Sequence, residues 1–471
     1  MSADTDNQRQ LAELYGLDPY SFRVAGPDVP AHCRALAADI ASGRLVRGQR
    51  LPTHRALAQA LDLDLTTVTR AYGEARRRGL LDARVGQGTF VSETTSRAAH
   101  DLPAPVSIDL SMNLPPQPVE ASLDMRIAQG LATIRAEAGF SAFLSYARPG
   151  GTTDEREAAA AWLRPRLPNA KAERIAVYPG SQAIIFNALL ALTRPGDTVL
   201  TEALTFPGIK AAAARLDVRL VGIAMDHEGA RADALDDACR KHKPRAVYLV
   251  PTQHNPTTAT MDAGRRKAIA DIIRKRGTIL IEDDAYGPLE PQASPIANLI
   301  PERTYYAASI AKCIAPALRV AYLLAPDAAA ERTMRAGLQA TMQMPPSLMV
   351  ALVTHWLKSG VANAIIRAIR NEAAARQRLA ARFLGGVAYA ARPASHHLWL
   401  PLPRHLDGTD LLSHLMRNGL AVVGEDAFAV GDIAPRGLRI SLGAARNRAE
   451  LSQALQVLSD VVKAPAVRQI V

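Results

Sequence analysis

At 471 residues, 48% of them hydrophobic, the chain can bury a large core and exceeds one compact domain, so disorder throughout is excluded and two or more domains are expected. Lysine and arginine number 56 against 45 aspartates and glutamates, a formal charge of +11 that suits a polyanionic partner. Three scattered cysteines, Cys33, Cys239 and Cys313, lack CxxC spacing, which argues against a disulfide framework or a metal site and favours a reducing cytoplasm.

The opening residues MSADTDNQRQLAELYG lack the basic start and apolar run of an export signal. The first recognisable unit is expected over 20–92. Its segment RALAADIASGRLVRGQRLPTHRALAQALDLDLTTVTRAYGEARRRGLLDARVGQGTFV predicts an initial helix, a second helix capped by Thr53 and a third capped by Asp64. On the third helix Val68, Tyr72 and Ala75 share the inward face at helical spacing. Thr66, Thr67, Thr69 and Arg70 are left near the end that meets base edges in a helix-turn-helix. Arg55 opens the second helix as a phosphate contact. Gly86, Gly88 and Thr89 form a tight hairpin tip whose glycines let backbone approach phosphates. Arg76, Arg77 and Arg78 are equally well read as a solvated helix end.

A polar, proline-containing stretch over 93–107 reads as a linker. Beyond it, over 108–465, the apolar runs RIAVYP, DTVLTEA, RAVYLVP and GTILIEDD alternate with alanine-rich helices, the order of a parallel sheet wrapped by helices. This large part spans about 120–345. The apolar stretch Ile184–Leu192 carries Asn187 and is too short to span a bilayer; it reads as a buried helix, and no membrane association is expected. From 346 to 465 a long helical stretch and the strands HHLWLPL and GLRISLG, bracketing the helix of TDLLSHLMRNGL, predict a smaller α+β part.

Within the second unit, chemistry-bearing residues recur at strand ends. Gly180-Ser181-Gln182 follows a strand and opens a helix, where backbone N–H groups and the Ser181 hydroxyl suit a phosphate. Phe206 is placed to stack on a ring, and Asn255 supplies an amide after RAVYLVP. Asp283 and Tyr286 end ILIEDDAY. Lys312 lies in the apolar SIAKCIAPALRVAY with Ser309 and Arg319 around it, poised for Schiff-base chemistry and phosphate binding. Arg439 offers a donor fork for a ligand carboxylate. Taken singly, each of these is ordinary turn, core or surface material; their order together is not.

The first unit resembles the GntR family of winged-helix regulators, through G-R-L-x-x-G-x-R-L-P-T-x-R-x-L-A, T-T-V-x-R-A-Y and G-x-G-T-F-V. Leu65 and Arg47 depart from that pattern, so base specificity does not transfer. The second unit is similar to fold-type I aminotransferases, through G-S-Q, N-P-T, D-x-x-Y, S-x-x-K with its later Arg, and the terminal Arg. The resemblance implies pyridoxal 5'-phosphate joined to Lys312, Asp283 on the pyridine nitrogen, and Tyr286 and Asn255 on the ring oxygen. It also implies Phe206 stacked on the ring, Ser181, Gln182, Ser309 and Arg319 around the phosphate, Arg439 on an effector, and Tyr146 reaching the partner's site in a homodimer.

The two units in this order look like the MocR subgroup of GntR regulators. The implied protein is a cytoplasmic transcriptional regulator that binds a double-stranded DNA operator and senses an amine, an amino acid or pyridoxal phosphate itself. On this expectation a ligand amine would displace Lys312 and would favour one arrangement of the two domains. The alternatives are a working aminotransferase with an appended DNA-binding domain and a repressor with an idle scaffold.

Overall fold

Tyr72 is the residue around which the first unit closes. The computed structural model describes residues 36, 39–40, 45–46, 48–61, 63–77, 80–84, 88–92, 108–402, 408–431 and 434–463, so Cys33, Arg47, Arg78, Gly86 and the expected linker over 93–107 lie outside the described residues. Two helices, α1 (His54–Leu61) and α2 (Leu65–Arg77), precede an antiparallel hairpin of β1 (Leu81–Arg84) and β2 (Gly88–Val91). Val68, Tyr72 and Ala75 are buried as the helical period requires, packed with Leu57, Leu81 and Val91. The Tyr72 hydroxyl donates to the Pro52 carbonyl at 3.1 Å, so the one polar atom this ring carries inward is satisfied. Residues 48–51 lie along β2 through Leu51 N–H to Thr89 O at 2.8 Å, completing a small winged sheet. Both expected caps form: Thr53 Oγ1 accepts from Ala56 N at 3.2 Å, and Asp64 Oδ1 from Thr66 N at 2.7 Å.

The chain divides into two compact units, this one within Met1–Pro105 and a second within Val106–Val471. The second unit begins with β3 (Ile108–Asp109) and is built on a seven-stranded sheet. Its strands are β4 (Ile175–Tyr178), β5 (Thr198–Glu202), β6 (Arg219–Ile223), β7 (Ala246–Leu249), β8 (Ile279–Asp283), β9 (Thr304–Ser309) and β10 (Ala321–Leu324), in the order β4-β10-β9-β8-β7-β5-β6. The four apolar runs read from the sequence are β4, β5, β7 and β8, buried from end to end but for Ile279. Helices cover both faces, among them α3 (Ser181–Leu192), whose Ile184, Ile185 and Leu189 are fully buried.

The sheet is mixed, and this departs from the parallel order expected. Strand β10 runs antiparallel to β9 and to β4 because the chain returns from Ser309 after only a short loop, without a crossover helix. The reversal has a functional consequence. It brings the start of β10, with Arg319 before it, to the same sheet edge as the carboxyl ends of β4, β7, β8 and β9, where Ser309 pairs with Ala321 and Ala321 with Tyr178.

The smaller part packs a sheet of β11 (Leu398–Pro401), β13 (Val423–Gly424) and β14 (Gly437–Ile440) against α4 (Val361–Phe383), α5 (Gly408–Arg417) and α6 (Arg448–Lys463). Its own strand β12 (Leu420–Ala421) pairs with β3, so Ile108 and Leu110 join this core before the chain enters the larger part. Among the described residues no single helix is long and apolar enough to cross a membrane.

Candidate functional site: a buried lysine pocket and a DNA-reading helix

At the end of strand β8 stand three consecutive acids, Glu282, Asp283 and Asp284, all buried, and strand alternation sends them to opposite faces. On one face Glu282 accepts from the backbone of Ile296 and Ala297 at 2.9 and 2.7 Å, and Asp284 pairs with Arg166 at 2.6 Å and with the Tyr306 hydroxyl at 2.5 Å. These are structural, since buried charge persists only when neutralised or hydrogen-bonded. On the other face Asp283 Oδ2 accepts from the Tyr248 hydroxyl of β7 at 2.8 Å, while Oδ1 is buried without a partner. Burial, then Asp284, pushes the Asp283 carboxyl up to about 6 against the pull of the Tyr248 bond, the Ala285 backbone N–H and Lys312.

Lys312 follows β9, and its amine donates to the Asn113 carbonyl at 2.5 Å. Burial first, and the Arg439 guanidinium second, bring the amine down to about 8, with Asp283 opposing. Tyr286 is buried and its oxygen accepts from Asn113 Nδ2 at 2.9 Å; burial pushes the phenol well above its ordinary value, so it stays protonated. Asn255 Oδ1 accepts from Arg439 Nη1 at 2.9 Å, which fixes that amide and leaves its Nδ2 as the outward donor.

Arg439, expected as a free carboxylate fork, is already engaged. It also donates to the Ser111 carbonyl, its guanidinium carbon lies 4.9 Å over the Phe428 ring, and its Nε is buried without a partner. Burial lowers its pKa to about 10. A ligand anion here must take Arg439 over from Ser111 or reach Nε.

At the head of α3, Gly180 has φ 105° and a side chain there would sit 2.9–3.2 Å from the Arg319 guanidinium, so Arg319 occupies the space above the helix N-terminus. Helix end and guanidinium together have the polarity that suits an anion, with Ser181 as the first helical residue. Arg319 itself takes the left-handed conformation, φ 52°. Gln182 Nε2 donates to the Gly208 carbonyl at 2.9 Å, and a Cβ on Gly208 would collide with both Gln182 and Phe206, so glycine permits Phe206 to close over this edge. Ser309, buried at the end of β9, accepts from Ala311 N at 3.1 Å. Tyr146 does not join the group: it is 84% exposed, beside an 85% exposed Leu144.

The donor set fits pyridoxal phosphate. An unpartnered buried carboxylate oxygen suits a protonated ring nitrogen, the glycine-floored cradle under Arg319 suits a phosphate, and a desolvated amine suits an aldehyde. Four contributors escaped the sequence reading. Tyr248 was readable in principle, as a hydroxyl in an otherwise apolar strand must find a partner. The pair His396 and His397 opens an apolar strand, which is a weak signal of buried polarity. Asn113 carries no local signal.

In the first unit the reader residues divide. Arg55 and Arg70 are exposed, while the Thr66 hydroxyl donates to Asp64 at 2.5 Å and the Thr69 hydroxyl lies 3.2 Å from His54 Nδ1. Thr67 is half-buried, and Gly88 and Thr89 lie on β2.

Comparison with known proteins accords with both halves. Residues 106–458 match the aminotransferase class I and II family, and residues 33–91 match the bacterial regulatory proteins of the gntR family. The chain is 30% identical to the HTH-type transcriptional regulator YdeF of Bacillus subtilis, covering 93% of this chain and 95% of that one. It is 29% identical to the vitamin B6 salvage pathway transcriptional repressor PtsJ of Salmonella typhimurium, over 86% and 91% of the two chains. Among solved structures it is similar to LysN, the alpha-aminoadipate aminotransferase of Thermus thermophilus complexed with N-(5'-phosphopyridoxyl)-L-leucine. That similarity has a TM-score of 0.69 and 25% identity, covering 77% of this chain and 93% of the other. A DNA-reading winged helix followed by this α/β unit is the organisation of the MocR subgroup, and the chain belongs to the GntR family of bacterial regulators in its first unit and to the aminotransferase class I and II family in its second.

Proposed function

We propose that this chain is a pyridoxal-phosphate-dependent transcriptional regulator that binds a DNA operator, works in the cytoplasm as a homodimer, and senses an amine, an amino acid or the cofactor itself at Lys312. One observation carries the reading: a buried lysine amine at about 8 within electrostatic reach of Asp283, whose free oxygen has no partner, in a chain that also holds a GntR domain. Lys312, Asp283, Tyr286, Asn255 and Phe206 would hold the ring, and Ser181, Gln182, Ser309 and Arg319 the phosphate. Exposed Val119, Phe140, Leu144 and Tyr146 suit burial against a second copy, with Tyr146 reaching the partner's site.

When bound, pyridoxal phosphate supplies an aldehyde that condenses with amines and a ring that withdraws electrons. Lys312 at about 8 presents far more neutral amine at pH 7 than an ordinary lysine. Asp283, mostly ionised at that pH, would balance a proton on the ring nitrogen. Arg439 and Arg319 would meet the anionic groups of ligand and cofactor. A ligand changes DNA binding only through unequal affinity for two arrangements of the protein.

The test is the visible spectrum of the purified protein with pyridoxal phosphate, native and Lys312→Ala, beside ligand-dependent binding to a duplex selected from a random DNA pool. The expected result is a violet-edge band that the variant loses together with its ligand response. A ligand response that survives in the variant, or a native protein without the band, overturns the reading. A working aminotransferase is the second reading, favoured by the base-competent Lys312 amine and by 27% identity to the 2-aminoadipate transaminase of Thermus thermophilus. Steady turnover of an amino acid with an oxo acid distinguishes it.

A further inference from the structure

His397 Nε2 lies 3.2 Å from the His254 carbonyl, and a carbonyl only accepts, so Nε2 carries the ring proton. Burial first, and Arg439 second, keep this imidazole neutral, which leaves Nδ1 a bare acceptor. Nδ1 lies 3.1 Å from Asn113 Nδ2 and therefore accepts from it. Ser395 Oγ, 3.4 Å from the same nitrogen, gives its own proton to the His397 carbonyl at 2.8 Å and does not compete. The Asn113 amide is thus held with its nitrogen toward His397, and its second hydrogen points to the Tyr286 oxygen at 2.9 Å.

The direction of this chain has a consequence for Tyr286. Its oxygen is an acceptor toward Asn113, so its own hydrogen is left for a different acceptor. With the amide reversed, the phenol would donate to Asn113 and have no proton to offer. Asn113 Oδ1, buried and unpartnered, is the acceptor that this orientation leaves over.

We infer that Asn113 and His397 are positioning residues, which orient the Tyr286 hydroxyl as a hydrogen-bond donor toward the ring oxygen of the cofactor. The inference rests on the cofactor reading of the site. The same Asn113 holds the free Lys312 amine on its backbone carbonyl, so one loop residue orders two of the groups that meet the cofactor. The charged and titratable groups that face Tyr286 and His397 are Arg439, Asp283, Tyr248, His254 and His396.

The experiment compares His397→Phe, which fills the space and removes both bonds, with His397→Gln, which keeps an acceptor and a donor, each alone and with Tyr286→Phe. Measured are the dissociation constant of pyridoxal phosphate and the pH midpoint of its visible band. Losing one buried hydrogen bond is expected to weaken binding about tenfold in His397→Phe, with His397→Gln within about twofold of native. A donor on the ring oxygen stabilises its negative charge, so losing that donor raises the midpoint, by about one unit in His397→Phe. Both effects are expected to fall to about twofold or less when Tyr286→Phe is already present, because the route through the phenol is gone. Asn113→Leu is expected to match His397→Phe, and near-UV circular dichroism like that of the native protein marks an intact fold.

Native behaviour in His397→Phe, equal losses in His397→Phe and His397→Gln, or an undiminished loss on top of Tyr286→Phe overturns the inference while leaving the cofactor reading intact. No Lys312-dependent band in the native protein overturns both.

Discussion

The two units handle charge in opposite ways. The first unit keeps Arg55 and Arg70 on its surface, where water solvates their charge. The lysine pocket buries Asp283, Tyr286 and Arg439 and half-buries Lys312, whose amine is desolvated, and each moves away from its ordinary pKa. Burial is what makes a charged group informative about function. A buried charge must have a partner or a reason to lack one: Asp284 also leaves one oxygen unpartnered but is neutralised by Arg166, whereas Asp283, with Oδ1 unpartnered and only Lys312 as a nearby cation, suits a cationic ligand group. An exposed arginine satisfies itself with solvent and says little singly; Arg319, also exposed, is informative because its guanidinium stands over the head of α3. The threonines carry the contrast into the reader itself, where hydrogen bonding to Asp64 and His54 occupies Thr66 and Thr69 and leaves the arginines as the freer groups.

If the second unit depends on neutralised buried charge, removing one partner should be costly. Arg166→Ala strands Asp284 beside Tyr306 and is expected to destabilise the unit by about 3–5 kcal/mol. Urea unfolding followed by tryptophan fluorescence measures this unit alone, since Trp162, Trp356 and Trp399 all lie in it. A cost below about 1 kcal/mol would be that of a solvated pair and would erase the contrast between the units.

Acid probes the same contrast at a smaller scale. Burial holds His396 down to about 4 in the folded chain, against 6.5 for the ordinary group. Below pH 6.5 the unfolded chain takes a proton that the folded chain refuses, so stability from this residue is present above that pH and lost as pH falls. Between about pH 8 and 5 the native protein should lose about 2 kcal/mol relative to His396→Gln. The difference between the two proteins is the quantity to follow, because Glu202 and Glu282, pushed up to about 7 by burial, act with the opposite sign over the same range. No change in that difference with pH would mean that His396 is solvated.

The smallest effect belongs to the exposed side. Arg55→Ala is expected to weaken binding to a selected duplex severalfold and to reduce the slope of log affinity against log salt by about 0.9, the signature of one phosphate contact. A loss confined to particular base pairs, with the slope unchanged, would make Arg55 a base reader instead.

Much of this molecule was legible in the order of residues, for local reasons. Caps at Thr53 and Asp64 follow from side chains that reach their own backbone, and the inward face of α2 follows from helical period. Strands β4, β5, β7 and β8 are apolar because both faces are covered, and so Asp283 and Asn255 could be assigned to strand ends without coordinates. The polarity of the site came instead from tertiary packing. Asn113 and His397 meet across 284 residues, and Arg439 reaches Ser111 across 328. Residues so distant leave no periodicity in the chain, and asparagine and histidine are common enough in loops to carry no signal singly. The reversed strand β10, which brings Arg319 to the head of α3, was hidden for a related reason: a short apolar run reads alike in either direction, and only pairing with β9 and β4 gives it one.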